Sequence, residues 1–475
     1  MANENATKEN IMGREGITPL LFRISLPLMI SMLVQALYNI VDSMFVARLS
    51  ETALTAVSLA FPLQNLLIAF GVGTGVGMAS FLSRKLGERD EESATKVAGN
   101  GISIASITWA VFAVLGLTVV KPFLNLFSDD AELLGLSTGY SEIVMVFSLF
   151  MFLSMMNERI LQGTGDSFSS MLSQMTGAIT NIILDPIFIF TLGFGVNGAA
   201  IATVIGQGVG CAVSFVCVIR NKFIHIEPRH LKIEKRMVKA IYAVGAPTII
   251  TNSIGTVMTG AINAILISFS TTAVSIFSVY FKLQSFVFMP VFGMNNGIIP
   301  IIAYNYGAGN RRRMTKTVRF SMVLACSIMA VGTALMWIIP ETMLKIFDAS
   351  ENMLAIGVPA LRTISISFVM AGFCIAMGSV FQAIGKSYFS MIVSFTRHLV
   401  VLVPVAFLLS KTGVLENVWW AFPIAEVVSL TVTLISYSYV YKKIISNVGK
   451  KAVSSGENNP PETKGNLTEP KESAT

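Results

Sequence analysis

Apolar runs of about 20 residues, each long enough to cross a hydrocarbon core of about 30 Å as a helix, recur along the chain from Ile17 to Val440. Backbone groups in a bilayer must be satisfied within the protein, and successive helices do this segment by segment. Only 13% of the 475 residues are charged, against roughly 25% in an ordinary soluble protein. The sequence therefore describes an all-α polytopic membrane protein. A net charge of +7 would raise the question of nucleic acid on a soluble protein, but here the cations lie in the connections between apolar runs. That is the positive-inside distribution, and nucleic acid is not an expected partner.

Polar and Gly/Pro-rich breaks divide the apolar part into twelve spans, near 18–48, 56–82, 102–127, 140–161, 171–192, 198–220, 240–270, 278–303, 320–340, 358–381, 390–410 and 416–441. Basic residues crowd the connections 83–101, 220–239 and 304–319 and are missing from 49–55, 128–139, 193–197 and 271–277. Both termini are accordingly expected in the cytoplasm, with the spans in the plasma membrane. The segment Met1 to Gly16 lacks the apolar core of a cleavable signal, so the first span is expected to direct insertion itself. The four cysteines (Cys211, Cys217, Cys326, Cys374) and three histidines (His225, His230, His398) show no metal-ligand spacing and no nucleophilic arrangement. No cofactor and no enzymatic chemistry are expected.

The two halves align without a gap over long stretches at a constant offset of 220 residues. Pro27 meets Pro247; Gln64, Gly73, Gly77 and Gly87 meet Gln284, Gly293, Gly297 and Gly307; Gln162, Gly165 and Ser167 meet Gln382, Gly385 and Ser387. Each unit holds six spans, an even number, so the units share one orientation and are related by a pseudo-twofold axis along the membrane normal. The expected organisation is an amino-terminal segment 1–17, a first six-helix lobe 18–220, a basic linker 221–239, a second lobe 240–441 and a disordered polar tail 442–475. Two bundles around a central cavity that opens on alternate sides is the architecture that follows.

The stretches SLPLMISMLVQALYNIVDSMFVARL, AVSLAFPLQNLLIAFGVGTGVG, RILQGTGDS, NIILDPIFIFTLGFGVNGAAIATVIGQ and FGMNNGIIPIIAYNYGAGN resemble the multidrug and toxic compound extrusion (MATE) family over about 18–441. The first-helix wording and the Tyr304–Asn310 turn are similar to its bacterial, MepA-like export branch. The resemblance implies two six-helix lobes and export of organic, often cationic compounds in exchange for H⁺ or Na⁺.

Few ionisable residues lie deep in the spans, where each costs roughly 2.5–3.5 kcal/mol on insertion scales and so marks a candidate site. On the first helix Gln35, Asn39 and Asp42 share one face with Tyr38 a turn before Asp42; on the fifth, Gln174, Asn181 and Asp185 do so; on the sixth, Thr203, Gln207 and Gly210. Asp42 and Asp185 fall at similar depth, about 10 Å inside the outer helix ends. Two carboxylates in a low-dielectric pocket cannot both stay charged, so the pair is suited to binding a proton. Asp, Asn and Thr oxygens also suit Na⁺, at Asp42, Asp185, Asn181 and Thr203. Pro27 and Pro186 are candidate hinges, the latter freeing a carbonyl one turn before it. The resemblance implies a cation site at Asp42, Asn181, Asp185 and Thr203, which match the family's motif positions. Candidate cavity residues are Gln35, Tyr38, Gln64, Gln207, Tyr280, Gln284 and Glu426, the last either paired, cavity-lining or in a structural polar pocket. Lys282 and Arg397 are expected to snorkel, and Glu158 and Arg159 to form local or interfacial pairs. The run Gly71 to Gly77 is expected to serve close helix packing.

The leading reading is an H⁺-coupled, monomeric antiporter for lipophilic, often cationic drugs. The alternatives are a Na⁺-coupled exporter, a flippase for a lipid-linked precursor, which would want more deep Arg and Lys, and a membrane-embedded enzyme acting on lipids.

Overall fold

A computed structural model describes residues 10–347 and 349–449. The spans are α1 (Ile17–Ala47), α2 (Glu51–Gly87), α3 (Glu91–Thr118), α4 (Ala131–Val146 continued by Leu149–Thr164), α5 (Ser167–Thr191), α6 (Gly195–Ile219), α7 (Lys235–Ile267), α8 (Thr271–Gly307), α9 (Arg311–Ile338), α10 (Glu351–Ser365 continued by Phe368–Ala383), α11 (Tyr388–Ser410) and α12 (Leu415–Asn447). Counting each bent pair as one span gives twelve among the described residues. The tail expected to be disordered lies, from 450 on, outside the described residues, while its first residues continue α12 to Lys443 and a 3₁₀ turn Ile445–Asn447.

Several helices outrun their apolar windows. The end of α2 at Gly87 and the start of α3 at Glu91 take up most of the connection expected at 83–101. Polar caps, which a hydropathy window does not register, set these ends: Asp90 accepts from the Ser93 amide at 3.0 Å, and Asn310 from the Arg313 amide at 3.1 Å. The two caps are repeat partners, as are Ser50 and Ser270 at the starts of α2 and α8. The sharp bends also fall away from the prolines expected to hinge. They are 46° in α4 and 45° in α10, where the Ser148 and Ser367 hydroxyls donate to the carbonyls three residues earlier at 2.7 and 2.6 Å. Such back-bonding competes with the helical ladder and bends it.

After the bends, α4 and α10 end at Gly165 and near Gly385, both left-handed (φ 91° and 77°). This explains why glycine recurs at both positions of the repeat: an L side chain in that conformation costs about 1–2 kcal/mol. Gly165→Ala is expected to lower the thermal midpoint of the purified protein by the equivalent of that cost, measured by unfolding in detergent.

The lobes meet along α1–α8, α2–α7 and α2–α8. Glycines decide where. Gly71 and Gly75 of α2 face Met155, Met156 and Arg159 of α4 within the lobe, whereas Gly73 and Gly77 face Ile241, Gly245 and Ile249 of α7 across the seam. A Cβ on Gly73 would come within 2.8 Å of the Gly245 carbonyl. The repeat partners Gly293 and Gly297 admit α1 in the same way, at Leu28, Met29 and Ser25, and Gly87 crosses the Tyr304 carbonyl as Gly307 crosses that of Arg84. The pseudo-twofold relation thus extends to individual seam contacts. Further ties cross the same region: Ser80 donates to the Gln382 carbonyl (2.9 Å), Arg159 to Asn296 (2.9 Å), and Asn305 and Arg313 to the carbonyl of Met12 (3.2 and 3.0 Å). All of these lie in the half of the molecule that carries the basic connections, here the basic end.

Toward the other end the lobes part. In its basic half α1 has one exposed stripe, including Phe22, Leu26 and Ile30, which continues as Leu37 and Met44. Beyond Gln35 a second exposed stripe opens roughly a third of a turn round the helix, formed by Asn39, Ser43 and Ala47. The helix α7 likewise exposes Asn252, Thr256 and Gly260 on a stripe roughly a third of a turn from Ile250 and Val257. A helix with two exposed faces, one apolar and one small and polar, borders lipid on one side and a water-accessible cleft on the other.

Candidate functional site

One wall of the first lobe holds a polar pocket built from α1, α5 and α6, with α2 and α4 behind it. Asp185 is fully buried and Asn181, a turn earlier, is nearly so. Pro186 follows directly, and the chain passes through a π-helical turn, Ile187–Thr191, which absorbs the lost amide one residue beyond the acid. The Asn181 amide donates to Asp185 Oδ1 at 3.2 Å and to Thr203 Oγ1 at 3.3 Å, tying α5 to α6. Tyr38 of α1 lies near Thr203, and the Asp42 and Asp185 carboxylates stand close to each other. Behind them the Gln64 amide donates to the Tyr140 hydroxyl at 2.8 Å, and Tyr140 is within electrostatic range of both acids and Tyr38.

Three acceptor oxygens in this pocket, Asp42 Oδ1, Asp185 Oδ2 and Asn181 Oδ1, are buried without a donor among the described residues. A buried acceptor left unpaired costs about 1–3 kcal/mol. The cluster is thus rich in acceptors and short of cations. One shared proton removes a charge and supplies a donor together; a cation held among the Asp, Asn and Thr oxygens answers the same deficit. Among the described residues no three His, Cys, Asp or Glu side chains gather as a metal site.

Of the residues singled out from the sequence, Asp42, Asp185, Asn181, Thr203 and Tyr38 come together. Asn39 does not: its side chain is exposed on the cleft stripe a turn from Asp42. Gln35 accepts from Gln174 at 3.2 Å, a second α1–α5 link deeper in the lobe. Gln207 and Gln284 are half-buried, as are Pro27 and Pro186. Tyr280, 3% exposed, lies in an aromatic cluster with Phe277, Phe281, Phe368 and Phe422 and offers the cleft no surface. Glu426 is 1% exposed and pairs with Arg397 Nε at 2.8 Å. Arg397 therefore turns inward instead of snorkelling, because a partner lies opposite on α12. Glu158 accepts from Ser154 (3.1 Å), while Arg159 binds Gln162 and crosses the seam to Asn296. Tyr140 escaped sequence reasoning; the only signal was a lone tyrosine between Ser137 and Ser141 at the start of a span.

Two six-helix lobes joined at one end of a cleft, with a buried acid pair in one wall, define a secondary membrane transporter. The MatE family model matches residues 27–187 and again 247–408, and the chain belongs to that family. The two matches begin 220 residues apart, the offset of the repeat. The chain is 27% identical over 406 residues to the multidrug export protein MepA of Staphylococcus haemolyticus, covering 85% of this chain and 89% of that protein. It is 28% identical over 428 residues to the probable multidrug resistance protein YoeA of Bacillus subtilis, covering 88% and 92%. Among solved structures, an outward-facing multidrug resistance MATE family transporter of the MOP superfamily matches with a TM-score of 0.87 at 26% identity, covering 93% of this chain and 99% of that one.

Proposed function

We propose that this chain is a proton-coupled exporter of lipophilic, often cationic compounds in the plasma membrane, acting as a monomer with both termini and the basic end in the cytoplasm. The observation that carries the reading is the acid pair, Asp42 with Asp185, and its unpaired acceptor oxygens. On that orientation the cleft faces outward. Protons enter from outside and one is shared between the carboxylates. The Asn181–Thr203 link, which ties α5 to α6, and the Gln174–Gln35 link, which ties α5 to α1, then rearrange with the Pro186 turn. The proton removes one of the pair's two negative charges, which weakens its hold on a cationic compound, and the compound leaves outward. Opening of the glycine seam exposes the pair to the cytoplasm, where proton loss restores the negative site for the next molecule. Moving one charge inward supplies about 2.3 kcal/mol per 100 mV, and each pH unit adds about 1.4.

A Na⁺-coupled cycle is the second reading, favoured by the mixed Asp, Asn and Thr oxygen set. Inside-out vesicles given either a proton or a Na⁺ gradient, with a lipophilic fluorescent cation outside, separate the two. Uptake under the proton gradient alone is expected; uptake under the Na⁺ gradient alone would replace H⁺ with Na⁺, and uptake under neither would return the flippase reading. Thr203→Val removes the hydroxyl that receives Asn181 while leaving both acids. It is expected to slow proton-driven uptake several-fold to about tenfold, in line with loss of one buried hydrogen bond at about 1 kcal/mol.

A further inference from the structure

The second lobe holds a buried acid–base pair, Arg397 with Glu426, that the cycle above does not use. Arg397 sits in a π-helical turn of α11, Thr396–Leu402, and π-turns inside helices often mark functional positions. Its Nε is 2.8 Å from Glu426 Oε2, while Glu426 Oε1 is buried without a partner. The guanidinium is bound to the protein by this one edge: its two terminal nitrogens carry no hydrogen bond to other described residues, and the side chain keeps 22% of its surface exposed. Ile392 (44%) and Phe395 (49%) are exposed on the face of α11 away from Arg397, and Val400 (52%) is exposed within the same π-turn; an arginine at this depth of a span faces either protein or a watery cavity. A pair that served only to hold α11 to α12 would use the bidentate fork and close over it. Here the fork is turned outward from a fully buried carboxylate.

We propose that Arg397, oriented by Glu426, receives an oxyanion of the transported compound, so that this chain recognises zwitterions as well as simple cations. The terminal nitrogens of a guanidinium match a carboxylate in a bidentate arrangement, while Nε stays on Glu426. The two lobes then carry opposite signs toward the substrate, an acid pair in the first and a guanidinium in the second. The proposal rests on the exporter reading and gives it a substrate class.

The test is equilibrium binding to the purified full-length protein in lipid nanodiscs of two probes on one scaffold: a rhodamine carboxylic acid, zwitterionic at neutral pH, and its ethyl ester, a monocation. Wild type is expected to favour the acid. The double variant Arg397→Gln with Glu426→Gln, which leaves no unpaired buried charge, is expected to reduce the acid-to-ester affinity ratio about tenfold. Arg397→Lys keeps the charge but loses the fork and is expected to reduce the ratio less. Glu426→Gln alone frees the guanidinium from its competing carboxylate, and the ratio is expected to rise. Should the double variant fail to fold, the two single variants decide. A ratio that stays at the wild-type value in the variants, or a loss shared equally by acid and ester, would overturn the proposal and leave Arg397 a structural tie. Gradient-driven uptake of a phosphonium cation lacking any oxyanion tests the exporter reading separately.

Discussion

Asp185→Asn is expected to reduce proton-driven drug uptake to background, a loss of about a hundredfold or more, with the protein still folded. The substitution is nearly isosteric. The side-chain oxygen that accepts from Asn181 is retained, and so is the packing of α5 against α6. What disappears is the titrating carboxylate. A neutral amide beside Asp42 cannot exchange a proton between the two faces of the membrane, so the cycle loses its coupling while the cleft persists. Because a buried carboxylate near another carboxylate is costly, the variant is also expected to melt no lower than wild type. Melting in detergent and vesicle uptake together distinguish this outcome from misfolding. Uptake that survives with its pH dependence intact would remove Asp185 from the coupling site.

Gly87→Val and Gly307→Val are expected to have the second largest effect, and by a different route. At both positions a Cβ would run into a backbone carbonyl of the other lobe, Tyr304 for Gly87 and Arg84 for Gly307, and neither obstacle is a side chain able to move aside. The lobes themselves keep their cores, since the clash is confined to the seam. The closed basic end should therefore be destabilised relative to the state in which it opens. Uptake is expected to fall more than tenfold, each factor of ten corresponding to about 1.4 kcal/mol of lost preference for the closed seam. The conformational shift is measurable with Ser80→Cys in a background lacking the four native cysteines, because Ser80 is tied to Gln382 across the seam. Labelling by an impermeant thiol reagent from the basic side should increase in both glycine variants. Unchanged labelling and full uptake would mean that the seam does not gate the cycle.

The parts of the fold that repeat were legible because they rest on residues with few substitutes. Polar caps, left-handed glycines and seam glycines recur at one offset, and the alternating run Gly71 to Gly77 does serve close packing, on α4 with one face and on α7 with the other. The stripes on α1, α5 and α6 placed Asp42, Asn181, Asp185 and Thr203 together because helical periodicity alone puts them on inward faces. What periodicity does not carry is the identity of partners across the lobe. Tyr140 comes to the back of the site from the first half of α4, where it receives Gln64 of α2 at 2.8 Å, and no spacing along the chain links those two residues. The distance of Arg397 from a helix end allows snorkelling, whereas Glu426 of α12 stands 2.8 Å from its Nε. Asn39 shares the face of Asp42 in projection, yet lies on the cleft stripe because the lobes part at that level.

The most direct test of the central claim is to count protons on binding. A monocationic phosphonium drug is added to the purified protein in weakly buffered solution near neutral pH, without any membrane gradient. If drug and proton compete for the Asp42–Asp185 pair, binding is expected to release up to one proton per drug molecule, and release should vanish in Asp42→Asn and Asp185→Asn. Saturable binding to the wild type with no proton released at any pH between 6 and 8, a range spanning about two pH units around the usual working point of such pairs, would contradict exchange at this site.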